Sequence, residues 1–504
     1  MNRPPSVPDA RGTEQTAYTR NGSDSVDALS SGLATSDGGF VYSSNHLTAT
    51  APATPSNTEA SSTPDNSFSS SRQQLSLMQS AQAPSRSGLD LTVPISVDPL
   101  SFMASNNRHL LQYFMHNASQ ALATHSLVHR EVCEVIIPMA VANPALLHAT
   151  LALAAIHLNS FMSNSDHRPR DEGSDVVAHL TTTSIAHLRR ELQQPVGGSP
   201  GPQLATIRTL FLCEAISGSP TLSTWRSHFL GAKALFSSME RQKDIREFQK
   251  DASLPFLRRW YNITEALVAL TPEGLEEDMQ GSLGPRSLGD PSDTPICIDA
   301  YTGCTDDLAK ALREIGALAW ERRRATRPPN QPSKLSEADF LRKADGLEIL
   351  INRMIIRDRS GTAISNVPEP HGLSLKQFEE FLLCNEAYQH TALIHIHRQI
   401  RLLSSDSSLV QDCVKRIIDC VSRIKPAATL SPLTLLTTPL FTAGCEARGS
   451  DRTKITLLLK EMYNHLHLPN MKQALEVLED FWLASADGKT SWESFSSTLT
   501  LSSH

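Results

Sequence analysis

Cysteine is scarce in this chain and unevenly placed. Only eight cysteines occur in 504 residues, and none precedes Cys133. Their irregular spacing excludes the dense disulfide framework of small secreted proteins and indicates reduced, buried thiols. The N-terminus also lacks a basic segment followed by an apolar one. No secretory signal is therefore predicted, and we expect the protein to stay inside the cell.

Strong charge and membrane-spanning character are lacking as well. The formal net charge is −7, which does not by itself indicate a nucleic-acid-binding surface. No stretch of about eighteen apolar residues carries the flanks typical of a membrane span. The sequence therefore predicts no membrane association.

Motifs of common catalytic centres are also missing. The sequence contains no Gly-rich nucleotide loop, no Gly-x-Ser-x-Gly nucleophile elbow and no His-Glu-x-x-His zinc motif. We therefore predict no catalytic, cofactor-binding or metal-binding residues, and no enzyme. An all-α enzyme stays a remote alternative, which would require converging carboxylates or a nucleophile–base pair in a pocket.

The most informative feature that is present is a long apolar segment beginning at Asn143. The Asn143 side chain can cap a helix, and Pro144 suits the first helical position, where its missing N–H is not needed. From Ala145 to Leu158 only three polar residues occur, namely His148, Thr150 and His157. A helix without a polar face must be enclosed by other helices, so a large helical interior is predicted.

Residues 1–98 differ in composition from the rest. They contain 20 serines, many Ala, Thr, Pro and Gly residues, and few large apolar ones. Such a segment cannot bury enough apolar surface to offset the entropy of ordering, so a disordered Ser/Thr/Pro-rich arm is predicted. Its end, 89–100, mixes acidic and apolar residues. That mixture is typical either of a partner-binding motif of the activation-domain kind or of a lead-in to a folded region.

Helical periodicity dominates from residue 101 onward, for example at Leu111, Phe114, Ala118 and Leu122. The predicted fold class is all-α, with a single large irregular helical bundle at 99–490 and a disordered tail at 491–504. Helices are predicted at about 129–142, 144–161, 174–193, 203–217, 222–240, 255–270, 305–326, 337–357, 374–403, 408–424, 433–447, 452–466 and 470–484, with little sign of strands.

Two groups of residues have the types found in metal sites. Asp306 and Asp307 lack the third carboxylate of an Asp-rich magnesium face, and acidic residues are typical of a first helical turn. His390 and His397 would share a helix face but lie about 10 Å apart along its axis. That distance is too long for one zinc ion, and His395 points elsewhere. Neither group is predicted to bind metal.

Two cysteine pairs are equally unsuited to a bridge or a shared metal. Cys413 and Cys420 lie seven residues apart on a predicted helix, a spacing that suits neither a disulfide bond nor a shared metal ion. Cys297 and Cys304 have an isolated Cys-x6-Cys spacing without a Cys-x2-Cys partner. We attribute that spacing to chance.

One basic cluster occurs at Glu321–Arg324 with Arg327. It could serve as an import signal or a phosphate contact. Alternatively, it is the last turn of a helix, where cations face the negative end of the dipole, and this interpretation is favoured. Trp225, Trp260 and Tyr261 are interpreted as core residues rather than as ligand-stacking ones.

Six blocks of the chain, in order, resemble the fungal-specific transcription factor domain of binuclear zinc-cluster regulators. The blocks are Leu110–Phe114; Ile136–His148 with Leu151–His157; Trp225–Ala232; Ala387–Ile394 with His397 and Arg398; Pro439–Ala447 with Asp451 and Arg452; and Asn470–Trp482. They are helix starts and packing stripes rather than reactive groups. Gly444 and Ala447 would let helices approach closely, and Phe441 would fill space. The resemblance implies a regulatory domain, not a catalyst.

The chain departs from this family in its N-terminal part. The family's zinc cluster uses six cysteines to hold two zinc ions and places a short helix in the DNA major groove, whereas Cys133 already lies in the helical region. The arm also lacks the usual basic linker and heptad run. No zinc cofactor is therefore predicted in this chain, and no DNA-binding residue can be assigned. DNA contact is expected only if a zinc cluster is missing from the gene model upstream of Met1 or is supplied by a partner.

The resemblance implies a fungal regulator in the nucleus that controls RNA polymerase II genes, for example of a metabolic or secondary-metabolite pathway. Its expected partners are the transcription machinery or co-regulators, and a homodimer or heterodimer is compatible with the family. The alternative is a cluster-less interaction protein that heterodimerises with an intact zinc-cluster factor and modulates it.

Overall fold

A computed structural model gives the fold of the chain. It describes residues 103–485 apart from 163–169, 194–199, 218–223, 242–250, 276–295, 327–334, 362–363 and 366–371, together with Trp492 and Phe495. These residues are almost entirely helical, which confirms the predicted all-α fold class. The predicted arm lies outside the described residues, as does the predicted tail apart from Trp492 and Phe495.

The helices are α1 (Ser105–Tyr113), α2 (Ser119–Leu122), α3 (Ser126–Ala142), α4 (Pro144–Met162), α5 (Arg170–Leu192), α6 (Gly201–Ser217), α7 (Thr224–Arg241), α8 (Leu254–Ala269), α9 (Asp306–Thr326), α10 (Glu337–Arg359), α11 (Leu375–His395), α12 (Ser408–Ser422), α13 (Thr437–Glu446), α14 (Ser450–Leu466) and α15 (Pro469–Ala484). A π-helical turn at Phe114–Ala118 joins α1 to α2, and a second one at Ile396–Ile400 follows α11. A 3-10 turn at Pro432–Leu435 precedes α13.

Helix α4 is the central helix of the N-terminal half. Asn143 caps it as predicted, because Asn143 Oδ1 accepts a hydrogen bond from Leu146 N at 2.9 Å. By length and composition α4 could cross a membrane, but 72% of its most apolar window is buried inside the protein. Helices α3, α5 and α6 pack against it. The apolar segment is therefore a core helix of the bundle.

Polar groups of α4 are satisfied within this packing. Thr150 Oγ1 donates to Leu146 O of its own helix at 2.8 Å. His157 Nε2 must donate to the carbonyl oxygen of Leu466, at 3.2 Å, because a carbonyl can only accept. His157 Nδ1 is then the acceptor for Tyr113 Oη, at 2.9 Å. The first of these bonds joins α4 to the end of α14, and the second joins α4 to α1.

Helices α10 and α11 begin with matching N-terminal caps. Ser336 and Asp339 form a capping box before α10, and Ser374 and Gln377 form one before α11. In each box the serine side chain accepts from the third backbone N–H, while the third side chain accepts from the serine N–H. The start of each helix is thus fixed by local sequence.

Helices α13 and α15 pack closely at Gly444, as predicted for this small residue. A Cβ atom on Gly444 would lie only 2.5 Å from Leu478 Cδ1, so a larger residue would force the buried Leu478 side chain to move. Trp482 Nε1 donates to Gly444 O at 2.9 Å across the same contact. Met471, Leu475 and Leu478 form the buried face of α15.

A pair of two-residue strands was not predicted. Cys297–Ile298 pairs in parallel with Ile364–Ser365. Two residues are too few to show a periodic pattern, so the sequence carries no signal for such strands. Next to this pair, Thr124 Oγ1 donates to Ala300 O at 2.5 Å. The contact links the end of α2 to the segment before α9.

Predicted and observed helix bounds agree closely, with two exceptions. The predicted helix 374–403 leaves the α-helical pattern after His395 and continues as the π turn. The predicted helix 433–447 is divided at Leu436, whose backbone angles of φ −97° and ψ 3° are not helical. Both exceptions lie beside α11, which carries most of the polar groups described next.

Candidate regulatory site

Asp358 is a buried carboxylate near the end of α10. It is 5% exposed, in the last helical turn, where the helix dipole disfavours negative charge. Its Oδ2 accepts hydrogen bonds from Asn385 Nδ2 and Gln389 Nε2, each at 2.7 Å. Its Oδ1 accepts one from Arg357 Nε at 2.6 Å. Since Asn385 and Gln389 are one turn apart on α11, these bonds fix how α10 and α11 sit against each other.

The same network reaches the start of α9. Arg357 Nη1 donates to Asp307 Oδ2 at 2.5 Å, and Thr305 N donates to Asn385 Oδ1 at 3.0 Å. Burial lowers the pKa of Arg357, but hydrogen bonds to Asp358 and Asp307 outweigh it and raise that pKa overall. We call this group the Asp358 network: Thr305, Asp307, Arg357, Asp358, Asn385 and Gln389.

A second charged group lies on the neighbouring side of α11. Glu386 Oε1 accepts from Arg359 Nη2 at 2.6 Å and from Arg416 Nη2 at 2.7 Å, and lies 3.8 Å from His390 Nε2. Burial alone would raise the pKa of Glu386, but His390 and the two arginines hold it well below its usual range. This Glu386 cluster joins α10 and α12 to α11.

A third group surrounds Glu265, which is 2% exposed on α8. Its carboxylate accepts from Tyr261 Oη at 2.9 Å and from Arg313 Nη1 at 3.0 Å, and lies 3.7 Å from Lys233 Nζ. Burial lowers the pKa of Lys233, while the charge of Glu265 opposes that shift. The Glu265 cluster therefore links α7, α8 and α9.

Together the three groups make the positions of six helices depend on one another through charge. Removing one member of a buried ion pair leaves an uncompensated charge, which typically costs about 3–5 kcal/mol. A helix displacement that separates the partners meets a similar penalty. These charged groups therefore couple the positions of the helices that carry them.

The three histidines singled out in the sequence lie along α11 and the turn after it. Burial lowers the pKa of His395 to about 4 and also lowers the pKa of His397. Both imidazoles are therefore neutral core groups at neutral pH. His390 belongs to the Glu386 cluster instead. Within the described ranges, no three His, Cys, Asp or Glu residues are placed to hold a metal ion.

The cysteines do not fit the two-zinc cluster of the family. All eight are free, and the first is Cys133 on α3. Burial raises the pKa of Cys413 and of Cys420 to about 12. It also raises the pKa of Cys304. Within the described ranges these cysteines are not grouped with other ligands in a set of three or more that could hold a metal ion. The prediction of no cofactor-binding or metal-binding residue stays a prediction.

The basic cluster at the end of α9 makes contacts inside the protein. Arg322 Nη2 donates to Glu337 Oε1 at 2.8 Å, and Arg323 Nη1 donates to Gln399 Oε1 at 2.7 Å. These contacts join α9 to α10 and to the second π turn, which supports the structural interpretation. Arg327 lies outside the described residues.

The aromatic residues pack as predicted. Trp260 is 3% exposed, and its ring lies edge-on to Phe211 with centroids 5.7 Å apart. Trp225 contacts the same Phe211 ring at 5.9 Å. Tyr261 is buried and belongs to the Glu265 cluster. Phe441, interpreted as space-filling, contacts the Trp492 ring at 5.1 Å.

Sequence reasoning missed the Asp358 network and the Glu265 cluster. A signal for the first was present: Asn385 and Gln389 lie one turn apart among the apolar residues of α11. Such a pair on an otherwise buried helix indicates an interior polar partner. The partner, Asp358, could not be named because it lies 27 residues away from Asn385 in sequence.

The fold and the three charged groups define a class of protein: an all-α domain whose interior polar side chains form hydrogen bonds and ion pairs with one another. A family model for the fungal specific transcription factor domain matches residues 109–502. The chain belongs to this family, which indicates a fungal transcriptional regulator rather than an enzyme. Neither a comparison with curated proteins nor one with solved structures gave a match.

Proposed function

We propose that this protein controls transcription by RNA polymerase II, with the helical domain at 99–490 as its regulatory part. Family membership over residues 109–502 supports the general role. The Asp358 network carries the mechanism, because it makes α9, α10 and α11 move as a unit or not at all. Target genes of a metabolic or secondary-metabolite pathway are compatible with this role.

The mechanism we propose is a shift between two helix arrangements. An effector or partner that binds one arrangement better than the other shifts the population toward it. The shift changes which surface meets the transcription machinery or a co-regulator. Breaking the Asp358 network lowers the barrier between arrangements, so it alters regulation without touching any DNA contact.

A reporter assay tests this role. The full chain is fused to a heterologous DNA-binding domain and expressed in a fungal host that carries matching operator sites. We expect the fusion to raise or lower reporter transcription at least threefold. We expect Asp358→Asn to change that output, because its amide nitrogen must face either the donors of Asn385 and Gln389 at the Oδ2 position or the donor of Arg357 at the Oδ1 position. Asp412→Asn, at an exposed carboxylate on α12, is the matched control and leaves the output unchanged.

The proposal fails if the fusion is nuclear and stable at wild-type levels yet leaves the reporter at the level of the DNA-binding domain alone. If Asp358→Asn behaves like the Asp412→Asn control, the regulator survives but the network has no part in its control.

The second candidate is a cluster-less partner of an intact zinc-cluster factor. The position of all eight cysteines within the helical region, from Cys133 onward, is compatible with it. A gel-shift experiment separates the two: the modulator role predicts that the purified chain alone does not retard promoter DNA and shifts it only with a zinc-cluster partner. An upstream in-frame Cys-x2-Cys-x6-Cys pattern in the gene would instead restore direct DNA binding.

A further inference from the structure

Helix α10 has an outward face made entirely of exposed residues. Ile349 is 53% exposed and Ile356 is 71% exposed. The opposite face of the same helix packs into the core through buried residues such as Phe340, Leu347 and Ile351. We call the outward set the Ile349 face: Arg342, Asp345, Gly346, Ile349, Asn352, Arg353 and Ile356.

Ile349 and Ile356 lie on the solvent-exposed side of an amphipathic helix, so their side chains contribute nothing to the core on its other side. Single exposed apolar residues are common on protein surfaces, so the two isoleucines alone do not indicate a contact. The order of charges along the Ile349 face indicates which partner fits.

We infer that the Ile349 face binds the same face of a second copy of this chain. In a two-fold, antiparallel pairing of α10 centred on Ile349, residues at equal distances on either side of position 349 face each other. Asp345 and Arg353 each lie four residues from the centre, about 6 Å along the axis. Asp345 of each copy therefore faces Arg353 of the other, and the two ion pairs flank an Ile349–Ile349 contact.

The remaining positions match in the same register. Gly346 faces Asn352, and a Cβ atom on Gly346 would meet nothing within 4 Å in the single chain. A glycine there weakens the helix without serving the chain's own packing, but it lets a second helix approach. Arg342 faces Ile356, whose apolar side chain its aliphatic stem can cover.

The charges on this face are available for a second copy. Asp345 accepts from Arg401 Nη2 at 2.6 Å, yet its side chain stays 62% exposed, and Arg401 also pairs with Glu348 at 2.5 Å. Arg353 is exposed on the helix surface. A contact made by one pair of helices is small for a specific interface, so we expect a reversible dimer with a Kd on the order of 10 µM.

Sedimentation velocity of the full chain from 1 to 200 µM tests the pairing. Wild type is expected to shift from monomer to dimer over this range. Asp345→Arg and Arg353→Asp each place two pairs of like charges across the contact, so each raises the Kd at least tenfold. The double variant D345R/R353D restores opposite charges and brings the Kd back to within about threefold of wild type. Lys343→Asp, an exposed charge reversal on α10 outside the Ile349 face, leaves the Kd unchanged.

Gly346→Ala provides a readout that does not depend on charge. It is expected to raise the melting temperature of the dilute monomer, because alanine favours the helix and its Cβ meets open space, and to raise the dimer Kd. A wild-type chain that stays monomeric at 200 µM overturns the inference. So does a dimer that the single reversals leave intact, or one that the double variant fails to restore. None of these outcomes depends on the proposed role in transcription.

Discussion

Helices α4 and α11 both lie in the interior, yet different interactions hold them there. Helix α4 carries no charged residue, and its buried Thr150 bonds within its own helix. Helix α11 buries Asn385 and Gln389, which bond to a carboxylate on another helix. Its half-buried Glu386 and buried His390 belong to an ion cluster. One helix is held mainly by burial of apolar surface and the other largely by directed bonds.

The two kinds of interaction differ in how strictly they define the position of a helix. Apolar burial depends on area and volume and is not directional, so the orientation of α4 depends on a few bonds, such as the one from His157 Nε2 to Leu466 O. The bonds around α11 are short and directional, so they are satisfied in one arrangement and broken in its neighbours. The first half thus supplies stability, and the second half supplies a defined set of helix positions that an effector can act upon.

The largest expected effect comes from placing a charge in α4. Leu151 is fully buried, and Leu151→Asp would put a carboxylate in the interior in place of an apolar side chain. We expect a loss of about 5 kcal/mol or more in the free energy of unfolding, enough to unfold a typical domain. Urea titration followed by circular dichroism measures it. Leu151→Met keeps the volume and should lose less than about 1.5 kcal/mol. A folded L151D protein would contradict the assignment of α4 as a dry core helix.

The next effect concerns the Asp358 network. Asp358→Ala leaves the donors on Asn385 and Gln389 buried without an acceptor, and we expect a loss of about 3–5 kcal/mol. In a double-mutant cycle with Gln389→Ala, the two losses should couple by about 1 kcal/mol or more. Asp412→Ala, at an exposed ion pair, should change stability by less than about 0.5 kcal/mol. Additive losses at Asp358 and Gln389 would show that the network does not act as a unit.

The smallest expected effect is the pH dependence of the free energy of unfolding, to which each of the two helices contributes one histidine. Burial lowers the pKa of His157 on α4 and of His395 on α11 to about 4, against 6.5 in the unfolded chain. Between pH 6.5 and 4 the unfolded chain binds more protons, so stability is complete above pH 6.5 and falls as the pH falls. At pH 5 each histidine should account for a loss of about 2 kcal/mol.

Urea unfolding at pH 7.5 and pH 5 checks this contribution. His395→Gln cannot titrate, so its loss of stability between the two pH values should be smaller than that of wild type by about 2 kcal/mol. An equal pH dependence in the His395 variant and wild type would exclude His395 as a titrating group.

The same two helices show how much of the fold and of the site can be predicted from the sequence. The cap at Asn143 and the apolar run after it are local signals, so the amino-acid order alone predicts the position and burial of α4. The partners of α11 are not local: Thr305, Asp358 and Asn385 meet only after α9, α10 and α11 have packed. Read singly, each of these polar residues looks like part of a solvated face. The Ile349 face could not be predicted from the sequence either, because its exposure depends on which side of α10 packs against the core.

The bond between His157 and the carbonyl of Leu466 spans 309 residues of sequence. A ribosome adding about 5–20 residues per second needs roughly 15–60 s to complete that interval. Helices α3, α5 and α6, which pack around α4, are made long before Leu466. The apolar helix can therefore be covered early in synthesis, whereas His157 receives its carbonyl partner 309 residues later, so this polar contact is among the last to form.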